Sequence, residues 1–279
     1  MGVAVIGGGT MGRGIAYVFA AAGLSTTVVE PDPARADALV GELAERARTG
    51  AAKGRLDPAA ADRLPGLLEV VGDVEALAAG LDLVVESVPE IPTLKADVLA
   101  AAEAREPRLL ATNTSSISID SLAGGLARPQ DFLGMHFFNP VWSLPLVEVV
   151  RGAASTEETV AAAQTHVTTI GKESIVVADV PGFATSRLDN IAAFEAMRML
   201  EEGVASVEDI DKAAVLAYGH PIGPLRLSDV VGLDVRLDIA RHLESVYGER
   251  YAAPAVLERL VAQGRLGRKT GRGFYDWSR

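Results

Sequence analysis

The sequence predicts an α/β protein, with a doubly wound and mostly parallel sheet over residues 1–180 and an all-helical domain over residues 181–279. Three observations carry that reading. The chain opens as strand, glycine turn and helix. Short apolar runs then alternate with helical patterns as far as Val177, and beyond Gly182 only helical spacing remains.

Val3 to Ile6 is an apolar run ending in glycines, and Met11 to Ala22 has helical spacing that Gly23 stops. Ser25 to Val29 is β-branched and apolar, so it reads as a second strand, parallel to the first because a helix separates them. A helix from Pro33 to about Arg48 and a charged turn at Lys53 to Leu56 follow. Buried strands are predicted at Leu67–Val71, Leu81–Glu86, Arg108–Thr112 and Phe132–His136. Two more, Leu146–Val150 and Ser174–Val177, flank a helix from about Thr156 to Ile170. The later helices are punctuated by Gly203, Gly219, Pro221 to Pro224, Gly232 and Gly248, and the domain boundary falls near Val180 and Pro181. The wide apolar face of Ile191, Phe194, Met197 and Leu200 needs cover, from its own chain or from a second copy.

A hydrophobic share of 49% and a charged share of 23% describe a packed globular chain. The net charge of -11 opposes attraction to nucleic acid or an anionic membrane face, both polyanions. Absence of cysteine removes disulfides, thiolate metal sites and a cysteine nucleophile. The opening MGVAVIGGGT does not read as a secretion signal, and no run approaches the roughly 18 residues that span a bilayer. A cytoplasmic location is therefore expected. His166, His220 and His242 do not cluster with carboxylates, so no metal is expected.

Gly7, Gly9 and Gly12 form a GxGxxG pattern directly after a strand and before a helix, the context of a Rossmann-type dinucleotide site. Gly7 allows the tight turn, Gly9 lets backbone approach a pyrophosphate, and Gly12 lets helix and strand pack closely. Thr10 and Met11 open the helix whose free N–H groups and positive dipole end would meet the phosphates. Glu30 ends the second strand, where a carboxylate accepts from the adenosine ribose and repels a 2′-phosphate, so NAD is expected over NADP. Asp32, just before Pro33, suits a helix cap instead. Arg35 lies close enough to blur the cofactor choice.

Several motifs stand in one order along the chain. They are Asn113-Thr114-Ser115-Ser116, His136-Phe137-Phe138-Asn139-Pro140, a carboxylate at Glu148, Pro181-Gly182-Phe183, Gly219 to Pro224, and the GRKTGRGFY run from Gly267 to Tyr275. Together they resemble the L-3-hydroxyacyl-CoA dehydrogenase family over essentially the whole chain. The resemblance implies hydride transfer between NAD and the hydroxyl carbon of an acyl-CoA thioester. Such chemistry needs a group that takes and returns the hydroxyl proton, which imidazole does near neutrality. His136 is the candidate, with Glu148 on the other ring nitrogen to fix its tautomer and stabilise its charge. By the same resemblance Ser115 bonds the reacting oxygen, Asn139 locks the histidine loop, and Asn113 belongs to the cofactor site. Glu90 and Lys95 would lie beside the nicotinamide, although an acid and a base spaced this way at a helix start also fit a solvated surface. A homodimer is implied as well.

Two departures from the family bear on substrate. Ser186 stands where the family carries an asparagine that bonds the substrate, and is kept as both a catalytic and a substrate candidate. The histidine loop continues as Val141-Trp142-Ser143-Leu144-Pro145 rather than with small residues and a lysine. Trp142 either contacts substrate or fills core volume. Ser143, Ser186 and Arg187 raise an alternative substrate, a short polar acyl group of hydroxymalonyl type on an acyl carrier protein. Arg265, Arg268, Lys269 and Arg272 form a basic cluster, read as a structural or solvated feature ahead of a phosphate site. A noncatalytic NAD-binding relative is a third reading, opposed by the joint presence of Ser115, His136 and Glu148.

Overall fold

A computed structural model describes residues 2–278. The chain forms two compact units, the first ending at Val180 and the second beginning at Pro181. Strand β1 (Gly2–Ile6) leads through α1 (Thr10–Ala21) to β2 (Ser25–Val29), and α2 (Pro33–Ala52) and α3 (Pro58–Arg63) precede β3 (Leu68–Val71). Then come β4 (Leu83–Glu86), α4 (Pro92–Glu103), β5 (Leu110–Thr112), α5 (Ile119–Ala123), β6 (Phe132–Phe137), β7 (Leu146–Arg151), α6 (Glu157–Thr169) and β8 (Glu173–Ala178).

The eight strands form one sheet in the order β3-β2-β1-β4-β5-β6-β7-β8. Every pairing is parallel except β6 with β7. The order reverses at β1 and β4, and ligands of such sheets settle in the crevice beyond the strand ends at that reversal. The central runs are the buried interior, where Val3, Val5, Val28, Leu83, Val85, Leu133 and Met135 pack with Ile15, Phe19, Leu39 and Leu43; β3, expected to be buried, lies at the sheet edge and stays partly exposed. Asp32 caps α2, accepting from the Ala34 and Arg35 N–H groups, as its place before Pro33 led one to expect.

The second unit is helical: α7 (Thr185–Glu201), α8 (Val207–Tyr218), α9 (Pro224–Val231), α10 (Leu233–Tyr247) and α11 (Ala255–Ala262). Phe194 and Met197 are fully buried with Leu225, Leu233, Leu237 and Leu257, and Ile191 and Leu200 pack against that core. The apolar face of α7 is thus covered within its own unit. Among the described residues no helix is long and apolar enough to cross a membrane.

Candidate active site

A cavity of about 930 Å³ opens at the β1–β4 reversal, and Gly7, Gly9, Glu30, Asn113, Ser115 and His136 are among its lining residues. The glycines there have separate physical reasons. Gly7 adopts φ +107°, and a Cβ on Gly12 would stand 1.7 Å from the Gly7 carbonyl oxygen. Gly8 is pressed against Glu30, where an added Cβ would lie 2.7 Å from Oε2. Gly9 differs from all three, because its φ of -70° suits any residue and nothing stands within 4 Å of its Cβ position. No protein contact demands glycine at that position. A phosphate resting on the crest would, and Thr10 and Met11 line the same wall at the start of α1.

Glu30 is buried and lines the cavity, but it is already engaged: Oε1 accepts from the Asp32 N–H at 2.8 Å and from Arg35 Nη2 at 2.9 Å. Arg35 therefore neutralises part of the charge that would meet a ribose. These features fit a dinucleotide, which would supply the hydride acceptor, with Glu30 holding its adenosine end and Asn113, Ser115 and His136 facing its reactive end.

The antiparallel step between β6 and β7 brings His136 and Glu148 together. His136 and Glu148 are register partners, so their side chains leave the same face of the sheet, and Nδ1 lies 2.8 Å from Oε2. Glu148 is wholly buried and His136 is 7% exposed. A carboxylate accepts from Nδ1–H, so proton exchange with a substrate falls to Nε2. Asn113 supports the same strand end by accepting from the Phe137 N–H at 2.9 Å. The Phe138 ring packs 4.5 Å from the imidazole, and Asn139 lines the cavity ahead of a cis peptide bond to Pro140.

Lys95 departs from both expectations for it. It is 1% exposed, so it is no surface residue, and its ammonium is spent on Glu86 (2.8 and 3.0 Å), the Val88 carbonyl (3.2 Å) and Glu90 (3.3 Å). It braces the site from beneath and does not line the cavity. Glu90 does line it, and it clamps the serine loop by accepting from Thr114 Oγ1 and from the Ser115 and Ser116 N–H groups. Burial raises the Glu90 carboxyl, but those donors and the Lys95 charge outweigh burial and hold it below the usual carboxylate range. Glu86 was missed in the sequence. Its signal is a carboxylate closing an apolar strand, the same signal that marked Glu30.

Trp142 and Ser143 stand outside the cavity lining. The Trp142 ring meets Tyr17 edge-on at 6.4 Å and carries the Arg46 guanidinium 3.5 Å from its centroid, so it fills volume between the histidine loop and the α1–α2 layer. Ser186 and Arg187 belong to the second unit, in the first turn of α7. Arg187 stacks on Tyr247 at 4.3 Å and is held by Tyr251.

The basic cluster is largely structural. Lys269 pairs with Asp234 at 2.6 Å, Arg265 donates to the Gly273 carbonyl, and Arg268 stacks 5.9 Å from the Trp277 ring. Buried Asp229 organises the end of the same motif: it accepts from the Phe274 and Tyr275 N–H groups and from Trp277 Nε1. A Cβ on Gly273 would lie 2.0 Å from its Oδ1. Among the described residues no three His, Asp or Glu side chains are placed to hold a metal ion.

Comparison with known proteins follows the same two units. Residues 2–180 match the family model described as 3-hydroxyacyl-CoA dehydrogenase, NAD binding domain, and residues 182–277 match 3-hydroxyacyl-CoA dehydrogenase, C-terminal domain. A 3-hydroxybutyryl-CoA dehydrogenase of Mycobacterium tuberculosis is 40% identical across 99% of this chain and 98% of its own. One from Clostridioides difficile is 36% identical across all of both chains. The crystal structure of (S)-3-hydroxybutyryl-CoA dehydrogenase from Ralstonia eutropha superposes with a TM-score of 0.93 at 36% identity, covering 100% of this chain and 99% of that one.

Proposed function

Because this chain belongs to the 3-hydroxyacyl-CoA dehydrogenase family, an NAD-dependent oxidoreductase family, we propose that it interconverts a 3-hydroxyacyl-CoA thioester and its 3-oxo form through the His136–Glu148 pair. The observation that carries this mechanism is the 2.8 Å contact between Nδ1 and a buried carboxylate, at the wall of a cavity that also holds the glycine crest.

In the oxidative direction His136 Nε2 takes the proton of the 3-hydroxyl, and NAD, which the glycine crest and Glu30 would hold, would supply the acceptor for the hydride leaving C3. Glu148 stabilises the charge the ring then carries and keeps the ring in plane with the reacting oxygen. Ser115 donates to that oxygen, and Glu90 holds the serine loop in place through backbone N–H groups. Glu86 and Lys95 brace that loop from below. Asn139 and Asn113 shape the histidine loop, and Ser186, in the first turn of α7, is a substrate contact by the family resemblance alone.

A CoA thioester is preferred over a carrier-bound one, since similar proteins are named for CoA thioesters and Ser143, one of the three residues that raised the carrier alternative, does not line the cavity. A cytoplasmic enzyme is the reading that goes with this chemistry. Exposed Leu188, Leu216 and Tyr218 on the helical unit support a homodimer. The test of function is NADH formation from (S)-3-hydroxybutyryl-CoA. Steady production that disappears in His136→Gln, with NAD still bound, is expected; unchanged turnover in that variant rejects the mechanism.

A further inference from the structure

Arg35 stands in the first turn of α2 and lines the cavity at the β1–β4 reversal. Glu30, Asp73, Glu75, Glu90 and Asp97 line it too, and among the described residues Arg35 is the only lysine or arginine that does. A pocket that fits a phosphate-bearing ligand thus keeps its one guanidinium beside Glu30, where the second strand ends.

The bonding of that guanidinium is incomplete. Nη2 donates to Glu30 Oε1 at 2.9 Å, whereas Nε stands 3.8 Å from Asp32 Oδ2, too far for a hydrogen bond, and Nη1 meets no acceptor among the described residues. The side chain is 61% exposed, so its remaining donors are open to a ligand. Glu30 also has a donor of its own, the Asp32 N–H at 2.8 Å from Oε1, and its Oε2 takes no hydrogen bond from the described residues. Oε2 is then the oxygen left for a ribose. A buried carboxylate that stood alone at this strand end would reject a 2′-phosphate, because two anions would share one corner withdrawn from water. Paired with Arg35 the corner is neutral, and the free N–H groups of a planar guanidinium match the oxygens of a phosphate.

We infer that Arg35 is a 2′-phosphate ligand, and that the enzyme takes NADP as well as NAD. Glu30 serves the ribose hydroxyls of NAD, and Arg35 serves the phosphate that NADP carries in addition. The inference rests on the dinucleotide reading of the cavity and is independent of the acyl substrate. It adds no chemical step, since the phosphate is held and not transformed. With carboxylates on the other lining positions, acceptance of that phosphate depends on this one side chain.

Calorimetric titration of the full-length protein with NAD and with NADP, in the absence of substrate, reads the contact without turnover. The wild-type protein should bind NADP within about tenfold of NAD, and Arg35→Met should widen the gap by a further tenfold or so, the worth of a charge-assisted hydrogen bond. Arg35→Lys, which keeps the charge without the planar fork, should recover only part of that loss. A wild-type gap wider than tenfold overturns the inference and makes Arg35 a surface ion pair. So does a gap that Arg35→Met leaves unchanged. Thermal unfolding checks that the variant is folded, and if it is not, the wild-type comparison decides alone. Absence of NAD binding would overturn the dinucleotide reading and the inference with it. Failure to oxidise (S)-3-hydroxybutyryl-CoA would count against the proposed function and leave these binding ratios readable.

Discussion

Lys95 holds its ammonium 2.8 and 3.0 Å from the two carboxylate oxygens of Glu86, with both side chains withdrawn from solvent. Thr112 Oγ1 and the Val88 N–H complete the Glu86 shell at 2.6 Å each. A buried pair is costly to form but costlier to break, because the surviving partner stays charged without compensation. Lys95→Met should therefore destabilise the protein by roughly 3–5 kcal/mol, and adding Glu86→Gln should recover much of the loss. Urea unfolding of the single and double variants checks this; equal losses in both would mean that the ion pair is not the cause.

The glycine crest separates packing from ligand binding. Gly12→Ala forces a Cβ to 1.7 Å from the Gly7 carbonyl and should lower the unfolding midpoint sharply. Gly9→Ala meets no atom within 4 Å, so it should leave the midpoint unchanged or slightly raised while weakening NAD at least tenfold. Calorimetric NAD titration alongside thermal unfolding distinguishes the two, and normal NAD affinity in Gly9→Ala would remove the phosphate from that position.

Replacing His136 by Gln should lower kcat by about 10²–10⁴-fold, the range of general acid–base catalysis. Glu148→Gln keeps the shape but loses the charge and the tautomer control, so losses up to about 10⁴-fold are expected, as in a Ser-His-Asp triad. The double variant should be little worse than His136→Gln, because the two act as one unit. Additive losses in single-turnover measurements would show that they act separately.

Buried His166 supplies a pH dependence to the fold. Burial lowers its pKa below 6.5, more than the nearby Asp82 carboxylate and main chain raise it, and its Nδ1 has no hydrogen-bond partner among the described residues. The folded chain thus resists a proton that the unfolded chain accepts. Its contribution to stability is complete above 6.5 and is lost as pH falls from there through the folded value. His166→Phe should flatten the change in stability between about pH 7.5 and pH 5.5, since a residue with no titration contributes no slope. An unaltered slope by urea unfolding would place the effect in other groups.

Asp229 makes its three bonds to the carboxyl-terminal segment without solvent. Asp229→Ala leaves those donors unmatched at roughly 1–3 kcal/mol each and should loosen the helical unit before the sheet unit. The chain has two tryptophans, Trp142 in the first unit and Trp277 in the second, so Trp142→Phe leaves a reporter confined to the helical unit. Early loss of the Trp277 signal is expected, and simultaneous unfolding by fluorescence and circular dichroism would contradict it.

What could be read from the chain was local in origin. A strand, a glycine turn and a helix are neighbours in sequence, so Gly7, Gly9, Gly12 and Glu30 announce a nucleotide crest through spacing alone. The Asp32 cap is equally local, and the change from alternating runs to helical spacing marked where the sheet ends. The motif around His136 singled out an imidazole that the structure places in the cavity wall.

Tertiary structure decided which of those groups meet, and on what terms. Only the antiparallel register of β6 and β7 sets Glu148 against the ring of His136. Lys95 looked like a cofactor contact or a surface charge until packing withdrew it against Glu86. Trp142 found Tyr17 and Arg46, far away in sequence, and Arg236 found Asn190 across 46 residues. Side-chain burial and charge pairing arise from contacts between distant segments, and periodicity along the chain carries no record of them.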